Sequence, residues 1–126
     1  MILRACALAA SLALVLACAS SSSPATSPGT STCDDLVASA QKDLQSALDA
    51  NATCTTDADC ESVGFGASCF DSCSRGIAKS GDAAYKASVD KVDGAQCKQF
   101  KDQGCKQAPI PPCTPPIVKC NAGKCS

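Results

Sequence analysis

The side chains best equipped for chemistry in this sequence are thiols. Cys33, Cys54, Cys60, Cys69, Cys73, Cys97, Cys105, Cys113, Cys120 and Cys125 punctuate residues 33–126, and Cys6 and Cys18 precede them. Thiols can cross-link a fold, hold a soft metal, or act as nucleophiles and redox centres, and spacing discriminates among these uses. C-x-x-C occurs nowhere, which argues against a thioredoxin-type exchange site and against a zinc ribbon or knuckle. The closest pair is Cys69-x3-Cys73, and with His at 0 any zinc site would have to be all-thiolate. At this cysteine density the expected use is disulfide cross-linking in an oxidising compartment. Ten thiols admit on the order of a thousand pairings, and spacing alone does not choose among them.

The missing histidine also removes the usual general base and the usual partner of a nucleophilic serine or cysteine. Glu61 is the only glutamate, so a glycosidase-type carboxylate pair cannot be assigned either. No catalytic residue, no enzyme activity and no cofactor are expected. Asp57, Asp59 and Glu61 alternate and form a weak calcium candidate, but an EF-hand loop needs glycine where Ser62 stands and glutamate where Ser68 stands. The simpler expectation is that Asp57 and Asp59 accept backbone amides in a turn between Cys54 and Cys60. Gly64-Phe65-Gly66 is too short for a phosphate loop and reads as a strand end. Pro109-x-x-Pro112 and Pro112-x-x-Pro115 fit a rigid strap between disulfides.

Lys+Arg is 11 against Asp+Glu 12, so no global basic footprint invites nucleic acid. The charge is nonetheless uneven. Residues 33–71 hold eight acids and one base, a balance of −7; residues 72–126 hold four acids and nine bases, a balance of +5. Packing of one half against the other is the expected consequence.

The elements that must position these groups are readable in part. Leu36, Val37, Ala40, Leu44, Ala47 and Leu48 share one helical face, with Asp34 and Asp35 in the first turn, so a helix is predicted over about 34–50. A second is predicted over about 81–93: Ser80 as N-cap, Tyr85, Val89 and Val92 on one face, Gly94 as C-terminal cap, and a short helical piece near Cys97–Lys101. Val63 and Phe65 share one face of a strand. Residues 116–125 read as a hairpin with Asn121-Ala122-Gly123 as its loop. Residues 33–126 contain only fourteen Leu, Ile, Val and Phe, a thin core for which disulfides must compensate. The fold class is therefore small disulfide-rich α+β: two helices cross-linked onto a two- or three-stranded antiparallel sheet with a C-terminal hairpin.

At the N-terminus, Arg4 and the apolar run from Ala5 to Ala17 have the form of a signal peptide and are too short to span a bilayer. Val15-Leu16-Ala17-Cys18 resembles the lipobox of bacterial lipoproteins. The resemblance implies cleavage before Cys18 and lipidation of its thiol, which would make the membrane a partner through that anchor. Residues 19–32, rich in Ser, Thr and Pro, form a polar tether of fourteen residues reaching roughly 20 Å. The expected domains are a signal peptide at 1–17, the lipidated cysteine and tether at 18–32, and a cysteine-rich domain at 33–126. Ala17-Cys18-Ala19 also fits ordinary secretory cleavage after Ala19. Either cut leaves ten thiols, an even number.

Two weaker signals concern partners. "CTTDADC" resembles the C-x-x-D-x-D-C element of whey-acidic-protein-type inhibitors, although the adjacent Cys-Cys pair of that family is absent. Asn51-Ala52-Thr53 is a formal glycosylation sequon. The expected protein is a lipid-anchored cell-envelope module, structural or binding, that meets an extracytoplasmic protein. The alternative is a secreted protease-inhibitor-like or effector module using a disulfide-braced loop such as residues 60–73.

Overall fold

The computed structural model describes residues 31–110 and 112–126. The leader, Cys18 and most of the tether lie outside the described residues. Helix α1 spans Cys33–Ala50, and helix α2 spans Asp82–Val92. Strands β1 (Cys60–Ala67) and β2 (Phe70–Ala78) form one antiparallel hairpin; β3 (Cys120–Asn121) and β4 (Lys124–Cys125) form another. The expected α+β class is what the chain adopts.

Helix α1 starts where its chemistry directs. Thr32 Oγ1 accepts from the Asp35 amide at 3.2 Å, and Asp35 Oδ2 accepts from the Thr32 amide at 3.0 Å, so each satisfies a donor that the helix start leaves open. The Thr32 hydroxyl and amide together hold the Asp35 carboxyl below its ordinary value. Leu36, Ala40, Leu44 and Leu48, at four-residue intervals, are all buried. They meet Phe65, Phe70, Ile77, Tyr85, Val92 and Phe100 in the main core. Val37 and Ala47 pack at its margin.

The second helix differs from its sequence reading at both ends. Gly81, not Ser80, stands at the N-cap, because residues 79–81 make a short 3-10 turn that brings Gly81 against Asn51. A Cβ at Gly81 would lie 2.6 Å from that of Asn51. Gly94 does not end the helix. Residues 93–97 form a π turn that hands the chain directly to α3, Lys98–Asp102. The true terminator is Gly104, at φ +72°, whose amide bonds Lys101 O while Cys105 N bonds Phe100 O.

The sheets match the expected arrangement: among the described residues there are two, the two-stranded β1–β2 sheet and the C-terminal β3–β4 hairpin. β4 gains a rudimentary neighbour through the Thr53–Lys124 bridge and the Cys125 amide, which donates to Ala52 O at 2.8 Å. Asn121 pairs with Lys124, so the hairpin loop holds two residues, Ala122 and Gly123, both at positive φ. That is the turn whose twist suits a two-residue hairpin. Gly64-Phe65-Gly66 lies within β1 rather than at its end.

Five disulfides pair all ten cysteines beyond residue 32. Cys33–Cys105 ties the start of α1 to the end of α3, and Cys69–Cys97 pins the tip of the β1–β2 hairpin to the π turn. Cys60–Cys125 and Cys54–Cys120 clamp the C-terminal hairpin; Cys73–Cys113 secures the proline strap. Cys60 and Cys73 therefore do not close a loop with each other. Residues 60–73 belong to a paired hairpin, because β1 and β2 hydrogen-bond along this stretch.

Candidate binding groove along the free edge of β1

Strand β1 pairs with β2 and with no other strand among the described residues, so its second edge carries no strand and meets the side chains of α2 instead. The register shows which residues face that edge. Between Val63↔Arg75 and Phe65↔Ser72, β1 advances two residues while β2 advances three. The bulge therefore sits on β2, at Cys73 and Ser74, and β1 stays regular. The buried Tyr85 hydroxyl of α2 donates to Gly64 O at 3.0 Å, which shows that Gly64 points its backbone away from β2. In an antiparallel strand such orientation recurs every second residue. Ser62, Gly64 and Gly66 accordingly present their backbone groups to the same open side.

All three residues line a cavity of about 480 Å³ closed on its far side by Asp82, Tyr85, Lys86, Val89 and Asp90 of α2. A second depression, about 310 Å³, shares Gly64 and Gly66 and extends the groove past Ser68 to Asp71 and Asp93. The two depressions meet at Gly64 and Gly66 and together form a trench that runs beside β1 and on over the hairpin tip, where Phe70 and Asp71 of β2 also line it. No Cβ obstructs its centre: around Gly64 there is nothing within 4 Å of where one would project.

The trench is acidic. Glu61, Asp71, Asp82, Asp90 and Asp93 line it, against one cation, Lys86, giving a local balance of −4. Lys86 Nζ pairs with Asp82 at 2.6 Å, and that contact raises its pKa. Asp93 Oδ1 accepts from the Ser68 amide at 2.6 Å, holding the hairpin tip against the helix. Burial pushes the Tyr85 phenol above its ordinary pKa and keeps its proton available for Gly64 O. The arrangement offers backbone donors and acceptors, one apolar wall at Val89, and a surplus of negative charge. Those are means of recognition.

Of the carboxylates singled out from sequence, Asp57 and Asp59 fall elsewhere and only Glu61 lines the trench. Asp59 Oδ2 accepts from the Thr55 hydroxyl and amide and the Thr56 amide at 2.8–2.9 Å, and these bonds lower its pKa to about 2. Asp57 Oδ1 accepts from the Cys120 amide at 2.8 Å. Both carboxylates serve the turn that carries the Cys54 bridge, while Glu61 lies on β1 in the trench. The structure does not bring the three together as ligands: among the described residues only Cys54, Cys60 and Cys125 cluster tightly enough to hold a metal. Their sulfurs lie within 4.8 Å of one another because two disulfides are neighbours, and their lone pairs belong to bonded sulfur rather than thiolate.

The trench itself was missed by motif reading, yet it left a trace. Ser62-x-Gly64-x-Gly66 places three small residues on one side of a strand, a pattern associated with close approach of another backbone. Comparison with protein-family models, curated proteins and solved structures returned no match.

Proposed function

We propose that this protein is an extracytoplasmic binding module carried on a lipid anchor at the cell envelope. Cys18 supplies the anchor, residues 19–32 space the domain from the headgroups, and the cross-linked domain presents the acidic trench. The observation that carries the reading is that all ten cysteines beyond residue 32 lie in bonding partnerships. Such pairing belongs to an oxidising compartment, which the leader would reach. Among the described residues no helix is long and apolar enough to cross a membrane; attachment is assigned to the Cys18 lipid on the strength of the lipobox resemblance. A rigid, bridged frame favours binding because little ordering entropy remains to be lost when a partner docks.

Detergent phase partitioning of the wild type and Cys18→Ala, with labelled palmitate supplied to cells, tests the anchor. The expected result is labelled wild type in the detergent phase and unlabelled variant in the aqueous phase. Identical aqueous behaviour of both, with wild type beginning at Ser20 in the medium, would instead establish the secreted alternative.

A further inference from the structure

The trench beside β1 has the geometry of an unfinished sheet. We propose that it captures an extended, cationic polypeptide segment, which adds to the free edge of β1 as a third strand while its basic side chains meet the carboxylates along α2 and the hairpin. This inference deepens the binding-module reading and rests on it.

Natural sheets blunt an open edge with lysine, proline or a bulge on the exposed strand. Here β1 offers Ser62, Gly64 and Gly66, and the bulge lies on β2 instead. From Ser62 to Gly66 the edge runs about 13 Å at roughly 3.3 Å per residue, enough for a segment of five or six residues. The Gly64 carbonyl already accepts from Tyr85, but a carbonyl has two lone pairs and can take an incoming amide as well. Main-chain bonds to these three residues would hold any extended chain, whatever its sequence.

Charge selects the occupant. Residues 72–126 contain only four acids, Asp82, Asp90, Asp93 and Asp102, and three of these line the trench. Of the nine bases in the same stretch, Lys86 alone does so, and Asp82 neutralises it. A second copy pairing edge to edge would oppose two surfaces of balance −4 and be repelled. A strand with lysine or arginine at alternate positions places its cations on one face, within reach of the carboxylates that line the trench, and its small or apolar residues on the other.

The test uses the mature oxidised protein and a fluorescent, end-blocked hexapeptide of alternating lysine and valine. Two N-methylated versions, one for each alternation of amides, keep the charge but remove half the backbone donors each. Fluorescence anisotropy and amide exchange at Ser62, Gly64 and Gly66 are read with the wild type and with the double variant Glu61→Lys/Asp90→Lys. Asp90 is exposed and Glu61 half-buried, and circular dichroism of the double variant checks that the fold survives. The expected result is binding that falls at least tenfold for one N-methylated peptide and for the double variant, with slowed exchange at the edge amides. Equal binding of the parent and both N-methylated peptides would overturn the inference, since attraction alone would then suffice. So would no binding at millimolar peptide, or protected edge amides in a peptide-free dimer. A lipidated protein that ignores the peptide removes only this inference; a protein that binds it with Cys18 unmodified removes only the anchor.

Discussion

Replacing Cys33 and Cys105 together by alanine isolates what a bridge contributes to a domain with so thin a core. The two residues are 72 apart in sequence, and closing a loop of that length in a free chain costs about 4.4 kcal/mol of entropy. The other bridges shorten the effective loop. A path from Cys33 to Cys54, across to Cys120 and back to Cys105 leaves about 36 residues, for which the same relation gives about 3.8 kcal/mol. The variant should therefore lose about 3–4 kcal/mol, a large share of the ~5–14 kcal/mol expected for a domain of this size. Guanidinium unfolding without reductant measures it, and the slope should steepen because the unfolded chain expands. Exchange should quicken at the Asp35 and Leu36 amides, where the capped turn loses its tie, and stay unchanged at Gly64. A loss below about 1 kcal/mol with an unaltered slope would refute the claim that bridges stand in for core.

Three further perturbations address single contacts. Tyr85→Phe, which deletes the 3.0 Å bond to Gly64 O, should cost about 1 kcal/mol in thermal or chemical unfolding. Tyr85 is the only tyrosine, so ultraviolet titration reports it alone; its folded pKa is raised, so its contribution is full below pH 10 and disappears as pH rises through the folded value. An ordinary titration at 10 would contradict its burial. Asp59 runs the other way: its depressed folded pKa makes its contribution complete above the ordinary 3.8 and lost as pH falls towards about 2. Asp59→Asn should flatten the acid limb of stability between those values, and carboxyl NMR locates the titration directly. Ala122, at φ +48°, occupies a left-handed position that favours asparagine or glycine. Ala122→Asn should stabilise by about 0.5–1 kcal/mol, and a lower melting temperature would show that the turn is built differently.

Helix α1 was legible because local and global signals agree: the Leu36–Leu48 stripe and the acidic first turn act within one element, and the Thr32 cap seen in the structure reinforces them. The end of α2 was not. Val92 and Cys97 are five apart, where an α-helix would place the next buried residue three or four on, so the periodic pattern stops beside a glycine. A π turn absorbs the extra residue and restores the phase, so that Phe100 also reaches the core. The Cys69–Cys97 bridge, which holds that turn, is a tertiary fact absent from any local window.

Strand β2 was hidden for a related reason. "FDSCSRGIA" lacks alternation, since a bulge at Cys73 and Ser74 resets its faces, and pairing with β1 is what makes it a strand. The trench draws carboxylates from positions 61 to 93, so only folding assembles it. What the sequence did carry was the small-residue alternation at Ser62, Gly64 and Gly66, which gains meaning once α2 is seen alongside. The charge asymmetry between the two halves proved less informative than the placement of the few acids in the basic half.

Intact-mass spectrometry of the protein recovered from its own cells tests the central claim most directly. The account predicts a chain beginning at Cys18, ten hydrogens lighter than its reduced form, and heavier by a diacylglyceryl group with or without a further acyl chain. A chain with unbridged thiols and its first seventeen residues attached, or an unmodified one beginning at Ser20, would contradict it.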